Sequence, residues 1–148
     1  MYEITTGGID RETQQGLEKL LNSRVVSPEH AENIDRLCEL CYGLAAARGW
    51  WTNANGTPKN RNFGELMALI HSEISEGLEG GRKDLASDHI AGFSMLEEEL
   101  ADALIRIFDL AGGAELRLGE AFLAKIAYNA VRPDHKPEAR AKAGGKSF

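Results

Sequence analysis

Apolar residues return at steps of three and four along several stretches of this chain, and nowhere do they alternate with period two. That pattern restricts the chain to helices, because a half-buried strand needs alternation. The punctuation agrees. A short helix is expected from about Asp10 to Leu21. Ser27-Pro28 reads as an N-cap followed by the first helical position, where proline is tolerated. Ile34, Leu37, Cys38, Cys41, Leu44 and Ala45 then recur at helical spacing up to Gly49. Trp50 to Arg61 collects Asn, Gly, Pro and Lys and reads as a loop. Asn62 and Glu65, three apart, open a stripe of Phe63, Leu66, Leu69, Ile70 and Ile74 that is expected to stop near Gly80-Gly81. Ser94 and Glu97 repeat the arrangement ahead of Leu100, Ala103, Leu104, Ile107 and Leu110, with Gly112-Gly113 as the stop. A last helix is expected from about Ala114 to Arg132, with Leu118, Phe122, Ile126 and Ala130 inside and Pro133 beyond. Four helices of matched length with short links predict an all-α, antiparallel four-helix-bundle-like fold with a short additional N-terminal helix.

A chain of 148 residues suits one domain. Residues 1–26 are expected to form a tail and the short helix, and 134–148 a polar C-terminal tail. The net charge of −6 argues against a nucleic acid polymer as partner, since phosphate-backbone binding needs surplus Lys and Arg. It leaves small phosphorylated ligands open, because a metal ion and a few local cations can meet those. No apolar run approaches the ~20 residues that cross a bilayer. Met1 to Asp10 lacks the basic and apolar regions of a signal peptide. Two cysteines make no disulfide framework. The expectation is a cytoplasmic protein with no membrane partner.

Carboxylates stand where a core should be. Leu66, Leu69, Glu73 and Glu76 fall at steps of three, four and three, so an apolar stripe ends in two acids. Glu99 and Asp102 repeat the three-residue step on the next long helix, with Leu96 and Ala103 flanking Glu99 on its face. A step of three puts both members of a pair on one helix face. If the two helices pack side by side, four carboxylates converge, and buried like charges cannot all ionise without a cation. Oxygen-only ligands select a hard divalent ion, Mg²⁺ or Mn²⁺. The other reading is two solvated acidic faces.

The segment Leu69-Ile70-His71-Ser72-Glu73-Ile74-Ser75-Glu76, followed by Glu98-Glu99-Leu100-Ala101-Asp102-Ala103-Leu104, resembles the MazG-like all-α nucleoside triphosphate pyrophosphohydrolases, whose signature is E-x-x-E, a gap, then E-x-x-D. The resemblance implies Mg²⁺-dependent hydrolysis, with Mn²⁺ as a substitute, of an NTP or dNTP to the monophosphate and pyrophosphate. It makes Glu73, Glu76, Glu99 and Asp102 metal ligands. Lys125, Asn129 and Arg132 match the family's K-x-x-x-N-x-x-R, which would contact phosphate and sugar. The tail from His135 to Gly144-Gly145-Lys146 is similar to that of phage and bacterial members. Family members assemble as homodimers or homotetramers, so the same is expected here. One departure is Ser72, where many members carry a Glu. It leaves the residue that activates water open between Glu73 and Glu76.

Trp50 and Trp51 precede the loop, where an aromatic ring can stack a nucleobase or simply close the end of a bundle. Cys38-x-x-Cys41 lies on an apolar helix face without a second pair, so it reads as packing. Gly145-Lys146-Ser147 is no P-loop, since Arg140 stands where the first Gly would be. No His follows a Glu by three, which excludes the Glu-x-x-His pairs of di-iron bundles. Two alternatives remain: a non-catalytic helical nucleotide-binding or assembly protein, and an enzyme resembling phosphoribosyl-ATP pyrophosphohydrolase.

Overall fold

The computed structural model describes residues 9–132. Residues 1–8 of the expected N-terminal tail and all of the expected C-terminal tail, with His135 and Gly144-Gly145-Lys146, lie outside the described residues. The described chain is all-α. It forms α1 (Arg11–Asn22), α2 (Pro28–Ala47), α3 (Phe63–Lys83), α4 (Met95–Gly113) and α5 (Leu118–Val131). Among the described residues no strand forms; Thr52–Pro58 and Ala86–Ser94 are isolated bridges. Among the described residues no helix is long and apolar enough to cross a membrane.

The helix ends follow from local hydrogen bonding. Asp10 caps α1 by accepting from the Glu12 and Thr13 amides, two of the donors that an α-helix leaves without partners. At the start of α2 the Ser27 amide donates to His30 Nδ1 at 2.9 Å, so a histidine takes the place that Glu holds in a capping box. α2 ends in a Schellman motif. Gly49, at φ +80°, donates to Ala46, and Trp50 donates back to Ala45. Asn62 caps α3 through the Glu65 amide, and Ser94 with Glu97 forms a complete capping box on α4.

Two boundaries differ from the sequence reading. α3 runs through Gly80-Gly81 to Lys83 and is capped by Asp84 in the left-handed region. A Cβ on Gly80 would lie 2.7 Å from Met95 Cγ, so this glycine permits close helix approach and does not stop the helix. The last helix starts at Leu118, because Ala114 to Arg117 forms a turn with Glu115 at φ 51°.

The described chain falls into two compact units. One holds α1, the part of α2 up to Asp35, and α5. There α1 packs along α5 around Leu17, Val26, Ala31, Leu123 and Ala127. The Gly119 amide donates to Asp35 Oδ1 at 3.1 Å. The other unit is Arg36–Leu116, in which α3 packs along α4. Its buried apolar residues include Cys38, Cys41, Leu66, Ala103, Leu110 and Ala111. α3 buries Leu66, Glu73, Gly77 and Gly80. Phe63, Leu69 and Ile74, expected inside, lie off that face and are exposed, as are Leu96, Leu100 and Leu104 of α4 and Phe122 of α5.

Two glycines of the second unit separate helix propensity from packing. Gly43 has open space where a Cβ would stand, whereas a Cβ on Gly112 would lie 2.7 Å from the Cys38 carbonyl oxygen and 2.6 Å from Tyr42 Cβ. Gly43→Ala is expected to stabilise the chain by up to about 1 kcal/mol through helix propensity. Gly112→Ala is expected to destabilise it by about 1–3 kcal/mol, because overpacking against backbone outweighs that gain. Urea midpoints of the two variants check the opposite signs.

Candidate metal centre

The approach of α3 to α4 builds the centre. Gly77 faces α4 so closely that an added Cβ would lie 3.2 Å from Glu99 Cβ. With no side chain at Gly77, the acids on either helix come together. Glu73, Glu76 and Glu99 each offer a carboxylate oxygen, and these oxygens lie within 4.8 Å of one another. Glu73 and Glu99 are buried, whereas Glu76, expected to face inward, is exposed. Asp102 is not part of this trio; it is exposed and lines an adjoining cavity.

Three carboxylates this close strain one another electrostatically. Burial pushes the Glu99 carboxyl up to about 7, and a hydrogen bond with Glu73 and the charges of Glu76, Glu73 and Glu98 add to the rise. Near neutral pH, Glu99 therefore holds a proton part of the time. Arg106 Nε donates to Glu73 Oε1 at 2.5 Å, so Glu73 has a cation beside it as well as the Glu99 carboxyl. Glu98, also buried, meets Nδ1 of the exposed His89 at 2.8 Å, which ties the α3–α4 connection to the start of α4.

Arg106 also lines a cavity of about 650 Å³. Leu40, Leu44, Leu66, Leu69 and Ile105 make its apolar wall, and Arg48, Arg61, Asp102 and Asp109 supply the other charges. Trp50, 58% exposed, lies on the cavity, whereas Trp51 packs. The Trp51 ring meets Tyr42 edge-on at 5.5 Å, and its Nε1 donates to Asp109 Oδ1 at 2.7 Å. A Cβ on Gly113 would overlap the Trp51 ring. The Arg61 guanidinium stands 5.4 Å from the Trp51 ring centre and 6.0 Å from that of Trp50, a cation–π arrangement. Burial pushes the Asp109 carboxyl up, opposed by the Trp51 hydrogen bond and by Arg61 and Arg106.

Lys125, Asn129 and Arg132 belong to the other unit. On α5, Lys125 Nζ lies 4.6 Å from the Tyr128 ring centre, and Arg132, at the C-cap, places its guanidinium 5.5 Å from it. Asn129 Oδ1 is buried without a hydrogen-bond partner among the described residues. Sequence reasoning passed over Arg106 and Asp109. The available signal was their register: Glu99, Asp102, Arg106 and Asp109 follow at steps of three, four and three on a helix otherwise rich in Leu, Ile and Ala.

Compared with known proteins, the chain matches no family model, no curated protein and no solved structure.

The Glu99 shift has a defined sign. An acid whose pKa rises from 4.5 to about 7 on folding binds more protons folded than unfolded between those values. Stability then falls as pH rises through that window and is constant, in this respect, below it. Without divalent metal, wild type is expected to lose stability between about pH 4.5 and 7 relative to Glu99→Gln, measured by urea unfolding across that range.

Proposed function

We propose that the chain is a divalent-metal-dependent nucleotide pyrophosphohydrolase of the MazG-like kind. In this reading an NTP or dNTP is cleaved by water at the α-phosphorus. The observation that carries it is the convergence of Glu73, Glu76 and Glu99 beside a cavity that shares Arg106 with them. The donor set fits Mg²⁺ or Mn²⁺. It is all oxygen, and Glu99, raised first by burial and further by the neighbouring acids, stands among like charges that a cation would neutralise.

Glu73, Glu76 and Glu99 would hold the ion, with Asp102 as the further ligand that the resemblance supplies. A bound ion contributes neutralisation of charge on the phosphate oxygens and acidification of water. Glu73 or Glu76 orients the attacking water and accepts its proton. The new bond joins water oxygen to the α-phosphorus, and the bond to the bridging oxygen breaks, so pyrophosphate leaves with that oxygen. Arg106 holds Glu73 in place from the cavity side. The phosphate and sugar roles of Lys125, Asn129 and Arg132 rest on the resemblance alone, as does the antiparallel four-helix arrangement. Self-association is part of the same proposal. It is supported by the apolar residues that a single chain leaves exposed on α3 and α4, among them Leu69, Ile74, Leu78, Leu100 and Leu104.

With Mg²⁺, a panel of NTPs and dNTPs is expected to yield monophosphate and pyrophosphate, and EDTA to abolish turnover. Orthophosphate as the first product, or turnover that survives EDTA, would overturn the mechanism. Phosphoribosyl-ATP turnover in place of the panel would select the rival enzyme.

Glu76→Gln tests the ligand set. It keeps side-chain size and removes one charge. Losing a ligand is expected to cost about 3–4 kcal/mol in the transition state, on the order of 10²–10³-fold in rate. The metal-free melting temperature should rise or stay level, because Glu76 is one of the charges that raise Glu99. Wild-type turnover in a normally folded variant would return Glu76 to a solvated acidic face.

A further inference from the structure

The cavity beside the carboxylates has a chemistry that the hydrolytic step does not use. It joins an apolar wall to several charged side chains, Trp50 lies open on it, and Asp109 is a half-buried acid within it. Asp109 accepts one hydrogen bond among the described residues, from Trp51. An ionised carboxylate has about four acceptor positions, so most of its capacity is left for a ligand. The Trp51 hydrogen bond, together with the fit of the Trp51 ring against Gly113, holds this acid in place.

Three arginines, Arg48, Arg61 and Arg106, line the same cavity, and Arg106 stands one helical turn before Asp109 on α4. The ligand that suits the cavity therefore has a flat apolar body for the leucine wall and Trp50. It has N–H donors for Asp109 and an anionic group for the cavity's arginines.

We infer that this cavity is a nucleobase subsite in which Asp109 selects guanine. The inference rests on the pyrophosphohydrolase reading for its substrate class. Guanine presents N1–H beside its 2-amino group, so it offers two donors side by side to a carboxylate. Adenine and cytosine present an amino group beside a ring-nitrogen acceptor, one donor with one repulsion. Uracil and thymine present a single N–H between two carbonyl oxygens, which a carboxylate repels. Burial raises the proton affinity of Asp109 against the Trp51 hydrogen bond and the charges of Arg61 and Arg106. Unpaired polar groups in a buried site are what reject a wrong substrate.

The test is calorimetric binding of nucleoside monophosphates to the full chain without metal, so that no turnover is involved. GMP is expected to bind at least about tenfold more tightly than UMP, a ratio that one well-placed polar pair can supply. IMP, which lacks only the 2-amino group, should fall between them. In Asp109→Asn, which can still accept from Trp51, the GMP to UMP ratio should collapse toward one, with the circular dichroism spectrum as the check on folding. Wild type binding GMP, IMP and UMP equally would overturn the inference without any variant, and so would an unchanged ratio in folded Asp109→Asn. The release of pyrophosphate is measured in parallel. If the base ratio holds while no NTP is hydrolysed, the subsite stands and the enzymatic reading falls. If NTPs are hydrolysed without base preference, the subsite falls alone.

Discussion

The spacing between α3 and α4 is the constraint on which the candidate centre depends. Gly77 and Gly80 occupy the α3 face that packs on α4, and each lacks a side chain where one would meet Glu99 or Met95. A larger residue at either place would push the helices apart and separate the oxygens of Glu73 and Glu76 from those of Glu99. The approach brings like charges together at a cost, since α3 buries Glu73 with only Leu66 and two glycines, and α4 sets the buried Glu99 against it. Arg106 and a proton on Glu99 offset that cost in the metal-free chain. Stability and ligand affinity are thus set by one repulsion, which a proton or a cation can relieve.

α4 carries the other half of the arrangement. Its acids and Arg106 climb one face in helical register, from Glu99 at the carboxylate trio to Asp109 under Trp51. Arg106 stands midway, bonded to Glu73 and lining the cavity. A displacement of Arg106 by a ligand would alter the partner of a buried acid, so the cavity and the carboxylates are joined by a single guanidinium.

Much of the helix pattern was legible in the sequence, because caps are local chemistry. Asp10, Asn62 and the Ser94–Glu97 box stand at the starts of their helices. Gly49 ends α2 as expected, through a positive φ. Gly80-Gly81 misled because glycine serves both as a stop and as a point of close approach, and only the partner helix distinguishes the two uses. The apolar stripes located helices but overstated burial, since Leu69 and Leu100 have helical spacing without lying on the packed face. The apolar stripe and the three-residue steps made four acids a convergent group if the two helices pack side by side, and three of them do converge. Asp102 shares the step but lies along the cavity, where it is exposed. Arg106 and Asp109 were passed over because an isolated charge on a helix reads as solvated until the facing element is known.

The turn at Gly49 sets two neighbouring indoles in unlike surroundings, and they are the only tryptophans in the chain. Trp50 is open to water, whereas Trp51 has its N–H engaged by Asp109 and a guanidinium near its ring. Their emission should differ in colour and in access to a dissolved quencher. Both belong to Arg36–Leu116, so the unit built from α1 and α5 is optically silent in tryptophan emission. A melting curve followed by tryptophan light alone would record one unit of this chain and miss the other.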